Sequence, residues 1–289
     1  MTGLRYEAPE NLNAAMALLG GAEGSARVMA GGTDLIIQID NEMIEPDLLV
    51  DIKNIKEMRS IDQVDGGYRV GAAVTGMELM EHEGFCATWP GVIEGVSLIG
   101  SIQVKGRATV GGNVCNSSPA ADSPPPLIAA GATATIVGPN GSRDIPVEDI
   151  AVGPGKTSLA KGEIVVAFNF AKRPAHSGEA YQRFTPRTEM DIAVVGVGVN
   201  LTLDGDGTCI AARVCLGAVA ATALLVDEAA ATLIGTKVDE AALDNLAKAA
   251  SAACRPIDDK RGTIEFRTDV AGVLARRVAL VALERARKN

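Results

Sequence analysis

Val28-Met29-Ala30-Gly31-Gly32-Thr33-Asp34-Leu35 reads as a strand that runs through two glycines into the start of a helix. At such a junction the backbone N–H groups lack helical partners, and the helix dipole adds to their pull on an anion. Glycine also lets a phosphate approach the main chain with no Cβ in the way. A plainer alternative fits the same residues: an ordinary strand–turn–helix in which Asp34 is the cap. The second glycine-rich stretch is Thr109-Val110-Gly111-Gly112-Asn113-Val114-Cys115-Asn116-Ser117-Ser118-Pro119-Ala120-Ala121-Asp122. It offers another set of small-residue amides and hydroxyls, followed by one carboxylate.

Around these stretches the chain has 289 residues, more than one domain of ~100–150 residues needs. It is 47% hydrophobic and 22% charged, a balance that supports a large core and excludes intrinsic disorder. Lys and Arg number 27 against 36 Asp and Glu, and the net charge of −9 argues against nonspecific nucleic-acid binding. Five Phe, three Tyr and one Trp are too few for a base-stacking platform. Neither a signal peptide nor a membrane span is visible, which predicts a cytoplasmic protein. Cys86, Cys115, Cys209, Cys215 and Cys254 are dispersed with no C-x-x-C pair, and the only histidines are His82 and His176. A zinc site or iron–sulfur cluster held by this chain alone is therefore not expected, and the cysteines read as free thiols.

The hydrophobic periodicity predicts helices at 11–19, 34–41, 77–85, 91–99, 221–234, 240–254 and 270–287. Strands are expected at 26–30, 48–52, 193–203 and 209–219, and Asp65-Gly66-Gly67 turns a hairpin over 61–74. Residues 109–126 are Gly, Asn, Ser and Pro almost throughout and read as one long loop, a length that usually marks function. Segments 127–137 and 163–170 return to helix or strand. Arg173-Pro174-Ala175-His176-Ser177-Gly178 is the expected domain boundary, giving parts at 1–56, 57–176 and 177–289. Arg276, Arg277, Arg285 and Arg287 suit the C-terminal end of a helix dipole and read as a solvated face.

Two familiar nucleotide motifs fail. Gly155-Lys156-Thr157 resembles the end of a P-loop, but Ile150 stands where that motif needs glycine. Gly196-Val197-Gly198 begins like a dinucleotide fingerprint, yet position 201 is Leu and the flanks read as strand. No G-x-S-x-G elbow exists, and neither histidine sits beside a nucleophile. Two phosphate-cradling loops without either motif suit a pyrophosphate held between two subdomains, with Asp122 accepting from a ribose or ribityl hydroxyl. That combination points to a flavin dinucleotide.

At these residues the sequence resembles the FAD-binding (medium) subunit of the molybdenum hydroxylases, which include carbon monoxide dehydrogenase and xanthine dehydrogenase flavoproteins. The matching runs are AGGTDL at 30–35, LVDIKNI at 49–55, TVGGNVCNSSPAAD at 109–122, VGPGKTSLAKGEIV at 152–165 and RTEMDIAVVG at 187–196. The resemblance implies an α+β fold. Its first part is a vanillyl-alcohol-oxidase-type FAD domain in two α/β parts, and a C-terminal domain like that of the carbon monoxide dehydrogenase flavoprotein follows. By the same likeness, Val28, Met29, Ala30, Gly31, Gly32, Thr33, Asp34 and Leu35 wrap the pyrophosphate from one side. Thr109, Val110, Gly111, Gly112 and Asn113 wrap it from the other. Ser117 and Asp122 also fall at cofactor positions, with Asp122 on a hydroxyl, Ile99 and Val165 near the flavin, and Arg183 able to approach it. Some relatives carry a larger aromatic at the Ile99 position. The extra cysteine-rich insertion of the 4-hydroxybenzoyl-CoA reductase branch is missing.

The likeness makes the chain one third of an enzyme, a heterotrimer that pairs into a dimer. A large molybdopterin–molybdenum subunit would oxidise the substrate, and a small subunit with two 2Fe–2S clusters would pass electrons to the FAD held here. No catalytic acid or base and no metal is then required of this chain. A freestanding FAD oxidase and a cofactor-free scaffold stand as the alternatives. The organic substrate and the final acceptor are not legible.

Overall fold

The computed structural model describes residues 3–289, so the first two residues of the N-terminal part lie outside it. The chain begins as a three-stranded parallel sheet in the order Arg5–Glu7, Leu48–Asp51, Ala26–Met29. The central strand is buried along its whole length, as parallel strands covered on both faces are. Helix Leu12–Gly21 starts at Asn11, whose side chain accepts from the Ala14 amide at 2.9 Å. The short helix Leu35–Asp40 follows the first glycine loop.

A second sheet is antiparallel, in the order Ile61–Val64, Gly67–Gly71, Ile164–Phe170, Thr133–Gly138, Gly141–Pro146. Its hairpin turns on Asp65 and Gly66 with φ of 51° and 78°, the pair of positive values a tight right-twisted hairpin needs. Ile164–Phe170 lies mid-sheet and nearly all buried, which explains its unbroken apolar run. One core joins both sheets and the short helices between them.

A third sheet, Ser177–Phe184, Val195–Leu203, Cys209–Gly217 and Leu224–Leu225, is backed by helices Glu240–Ala253 and Ile264–Lys288 around a core of its own. Gly178 belongs to the close packing of this layer, since a Cβ there would meet the Ala282 carbonyl oxygen at 1.9 Å. The three sheets and their covering helices make an α+β molecule. Among the described residues, no helix is long and apolar enough to cross a membrane.

Several local expectations need correction. The stretch 109–126 is not one loop: it holds helices Val110–Cys115 and Pro124–Ala129. Thr109 caps the first, and proline at the start of the second occupies positions whose N–H groups have no helical partner. The expected helix over 221–234 is mostly extended, with only Asp227–Ala231 helical, because Leu224–Leu225 joins the third sheet. Helix 77–85 divides into Gly76–Met80 and Glu83–Thr88 where the His82 side chain caps a new start. Strand Ser177–Phe184 was not read at all. Arg285 is no solvated cation: it donates to the Glu179 carbonyl at 2.7 Å and to Glu94 at 2.5 Å.

Candidate functional site

A cleft of about 730 Å³ opens beside the small parallel sheet. Its walls come from residues 24–44, 99–116 and 155–163. The volume lies in the ~300–1,000 Å³ range of ligand sites. All eight residues from Val28 to Leu35 line it, together with Ile99, Thr109, Gly112 and Asn113. The amides of Gly31, Gly32, Thr33 and Asp34 donate to no acceptor among the described residues. Asp34 makes no capping hydrogen bond, so the plainer strand–turn–cap alternative does not describe this loop. Four consecutive partnerless amides in a concave wall form an anion cradle.

The two neighbouring glycines are glycine for different reasons. Gly32 has φ of +76°, the left-handed region that favours glycine. Gly31 is a contact glycine: a Cβ there would lie 1.9 Å from the Arg107 carbonyl oxygen. It lets the first loop touch the strand end that leads into the second. Gln38 adds a side-chain bridge, donating to Asn116 at 3.0 Å.

In the second loop, Thr109 Oγ1 accepts from the Gly112 amide at 2.9 Å and starts the helix. Gly112 is exposed, and a Cβ on it would meet only Thr109 Oγ1, at 3.1 Å. Gly111 faces inward, where a Cβ would lie 2.5 Å from the Ala72 carbonyl oxygen. Asn113 turns its Oδ1 back to accept from the Ser123 hydroxyl at 2.7 Å and the Ser123 amide at 3.2 Å. Loop and following helix are thereby locked together.

Six of the expected cofactor residues do not line the cleft: Val110, Gly111, Ser117, Asp122, Val165 and Arg183. Val110 and Val165 are buried core residues, and Ser117 is buried with φ of +50°. Asp122, 6% exposed, faces the third sheet instead of an open wall. It accepts from the Tyr181 hydroxyl at 2.8 Å and pairs with Arg183. Burial pushes its carboxyl up to about 6, against the pull of Arg183 and Tyr181. The pair is therefore an inner support of this region, built from residues 61 apart in sequence.

The far wall was missed by sequence reasoning. Gly155 and Thr157, from the rejected P-loop likeness, line the cleft with Leu159, Lys161 and Glu163. Gly155 donates its amide to the Ser117 carbonyl at 3.1 Å. Lys161 donates to the Ala22 carbonyl at 2.7 Å, and Glu163 pairs with Arg143 at 2.9 Å. The segment straps the second sheet to the first. Its only signal in the sequence was the run 152–165 itself.

A cleft with a partnerless amide cradle on one wall and a capped glycine helix on another defines a dinucleotide-type binding protein lacking P-loop and Rossmann motifs. The residues present fit an FAD pyrophosphate. The model of the FAD-binding domain in molybdopterin dehydrogenase matches residues 2–171, and that of the CO dehydrogenase flavoprotein C-terminal domain matches 179–282. The chain belongs to the FAD-binding flavoprotein family of the molybdopterin dehydrogenases. It is 34% identical over 282 residues to the carbon monoxide dehydrogenase medium chain of Afipia carboxidovorans, covering 98% of this chain and 96% of that one. It is 32% identical over 255 residues to the xanthine dehydrogenase FAD-binding subunit of Escherichia coli O157:H7, covering 88% and 87%. The carbon monoxide dehydrogenase of Hydrogenophaga pseudoflava superimposes with a TM-score of 0.94 at 32% identity over 98% of each chain.

Proposed function

We propose that this chain is the electron-transfer subunit of a multi-subunit molybdenum hydroxylase. It takes electrons from iron–sulfur clusters of a small partner and delivers them to an external acceptor. The observation that carries this reading is the row of free amides from Gly31 to Asp34 in the cleft of an FAD-family chain. When bound, FAD supplies the two-electron redox chemistry. The chain binds and orients it. Gly31 to Asp34 hold the pyrophosphate from one side, with Thr109, Gly112 and Asn113 on the other. Ile99 sits toward the flavin, and Asp122 with Arg183 supports that end from behind.

A large molybdenum subunit completes the assembly, as a dimer of heterotrimers, with the segment from about residue 177 forming the docking domain. The relatives' names, a medium chain and an FAD-binding subunit, support partnership. The five free cysteines suit a reducing cytoplasm.

The test is anaerobic stopped-flow at the flavin band. The isolated chain should bind FAD one to one and resist reduction by organic hydroxylase substrates. Adding the iron–sulfur and molybdenum subunits should restore reduction. Rapid substrate-driven bleaching of the lone chain would overturn the proposal.

A further inference from the structure

We propose that Lys53 is a positioning residue that sets the Ala30–Gly31 peptide and so presents the Gly31 amide to a phosphate. The inference rests on the reading that the Gly31–Asp34 amides hold a pyrophosphate. Lys53 follows the central strand of the parallel sheet, and its ammonium donates to the Ala30 carbonyl at 3.0 Å. It also donates to Asp51 Oδ2 at 2.6 Å. Asp51 is 5% exposed and held twice more, by the Tyr6 hydroxyl at 2.6 Å and the Lys53 amide at 3.0 Å. The cation is thus anchored from the sheet and aimed at one carbonyl.

That carbonyl belongs to the peptide whose nitrogen is the Gly31 amide. In a planar trans peptide the C=O and N–H point in opposite directions. Turning Ala30 C=O toward Lys53 therefore turns Gly31 N–H away from it, and that amide meets no acceptor among the described residues. The local backbone does not enforce this choice. A flip would change chiefly ψ of Ala30 and φ of Gly31, and glycine accepts nearly any φ. Lys53 supplies the preference. It does so from the other side of the loop, where it borders a second cavity of about 320 Å³ with Arg59, Arg107 and Thr109.

The test uses the whole chain stripped of flavin, with ADP as the diphosphate probe and adenosine as the probe without phosphates. Calorimetry on the unmodified chain and on Lys53→Met gives the ratio of the two affinities. The side chain of Lys53 is 24% exposed, so the apoprotein melting temperature should move by no more than about 3 °C. ADP and FAD affinity should fall roughly 10- to 100-fold while adenosine binding holds, since only the phosphate contacts are lost. Asp51→Asn, which frees the ammonium from its anchor, should move the ratio in the same direction. An unchanged ADP-to-adenosine ratio in Lys53→Met overturns the inference, because a general loosening would weaken both probes alike. Failure of the unmodified chain to prefer ADP over adenosine sinks the pyrophosphate cradle itself, and the inference with it.

Discussion

Asp122 shows how a single carboxylate changes meaning once its neighbours are known. In the sequence it closes a glycine-rich stretch and reads as a hydroxyl acceptor. In the fold it receives the Tyr181 hydroxyl and pairs with Arg183, whose side chain is 4% exposed. Removing one partner of a buried pair leaves the other charge uncompensated, which costs about 3–5 kcal/mol. Asp122→Ala should therefore lower unfolding stability at pH 7 by that order, as read by urea denaturation of the apoprotein. A loss under ~1 kcal/mol would mean that Arg183 finds water or another partner in solution.

At the scale of elements, the two glycine loops work through contact as much as through freedom of the backbone. Gly31 admits the Arg107 carbonyl and Gly111 the Ala72 carbonyl, whereas Gly112 lies on the cleft surface. The consequences of adding one methyl group should differ accordingly. Gly31→Ala forces the loops apart and should destabilise the apoprotein by roughly 1–3 kcal/mol or more. Gly112→Ala, in an exposed helical position, should leave apoprotein stability within ~1 kcal/mol. It nevertheless puts a methyl group on the cleft wall, and FAD affinity should drop. Thermal melts with FAD titrations of both variants check the contrast. Equal effects of the two substitutions on apoprotein stability would contradict it.

At the scale of the whole molecule, the third sheet meets the FAD domain through a charged seam. Glu179, 1% exposed, accepts from the Gly91 amide at 2.8 Å and the Val92 amide at 3.3 Å. Glu94 accepts from the Tyr181 amide at 2.8 Å and pairs with Arg285. Arg173 lies over the Trp89 ring, 5.4 Å from its centre. Burial pushes the Glu179 carboxyl up to about 7 and Glu94 adds to the rise, while Arg173 and the two amides oppose it. The folded chain therefore holds a proton on Glu179 that the unfolded chain releases near ~4.3. That contribution to stability is full below the unfolded value and is lost as pH rises through about 7. Glu179→Gln, a neutral mimic, should match the parent near pH 4 and exceed it at pH 8 by on the order of 1–3 kcal/mol. Denaturant melts at the two pH values test this, and a constant difference between the proteins would refute it.

Features carried by adjacent residues were determined by the sequence alone. Gly31-Gly32-Thr33-Asp34 exposes consecutive amides because no local partner exists for them, and Asp65-Gly66 makes its hairpin from its own dihedral preferences. Alternating and continuous apolar runs likewise marked most strands, and the ordered motifs marked the family. The tertiary structure alone decided which distant group each residue meets. Arg107 against Gly31, Ala72 against Gly111, Arg183 against Asp122 and Lys53 against Ala30 all join separate elements. It also decided that 109–126 is helical at both ends, since Thr109 and the packing of Gly111 stabilise a turn that composition disfavours. Local propensity acts over a few residues, whereas these contacts follow from how sheets and helices pack, which no short stretch encodes.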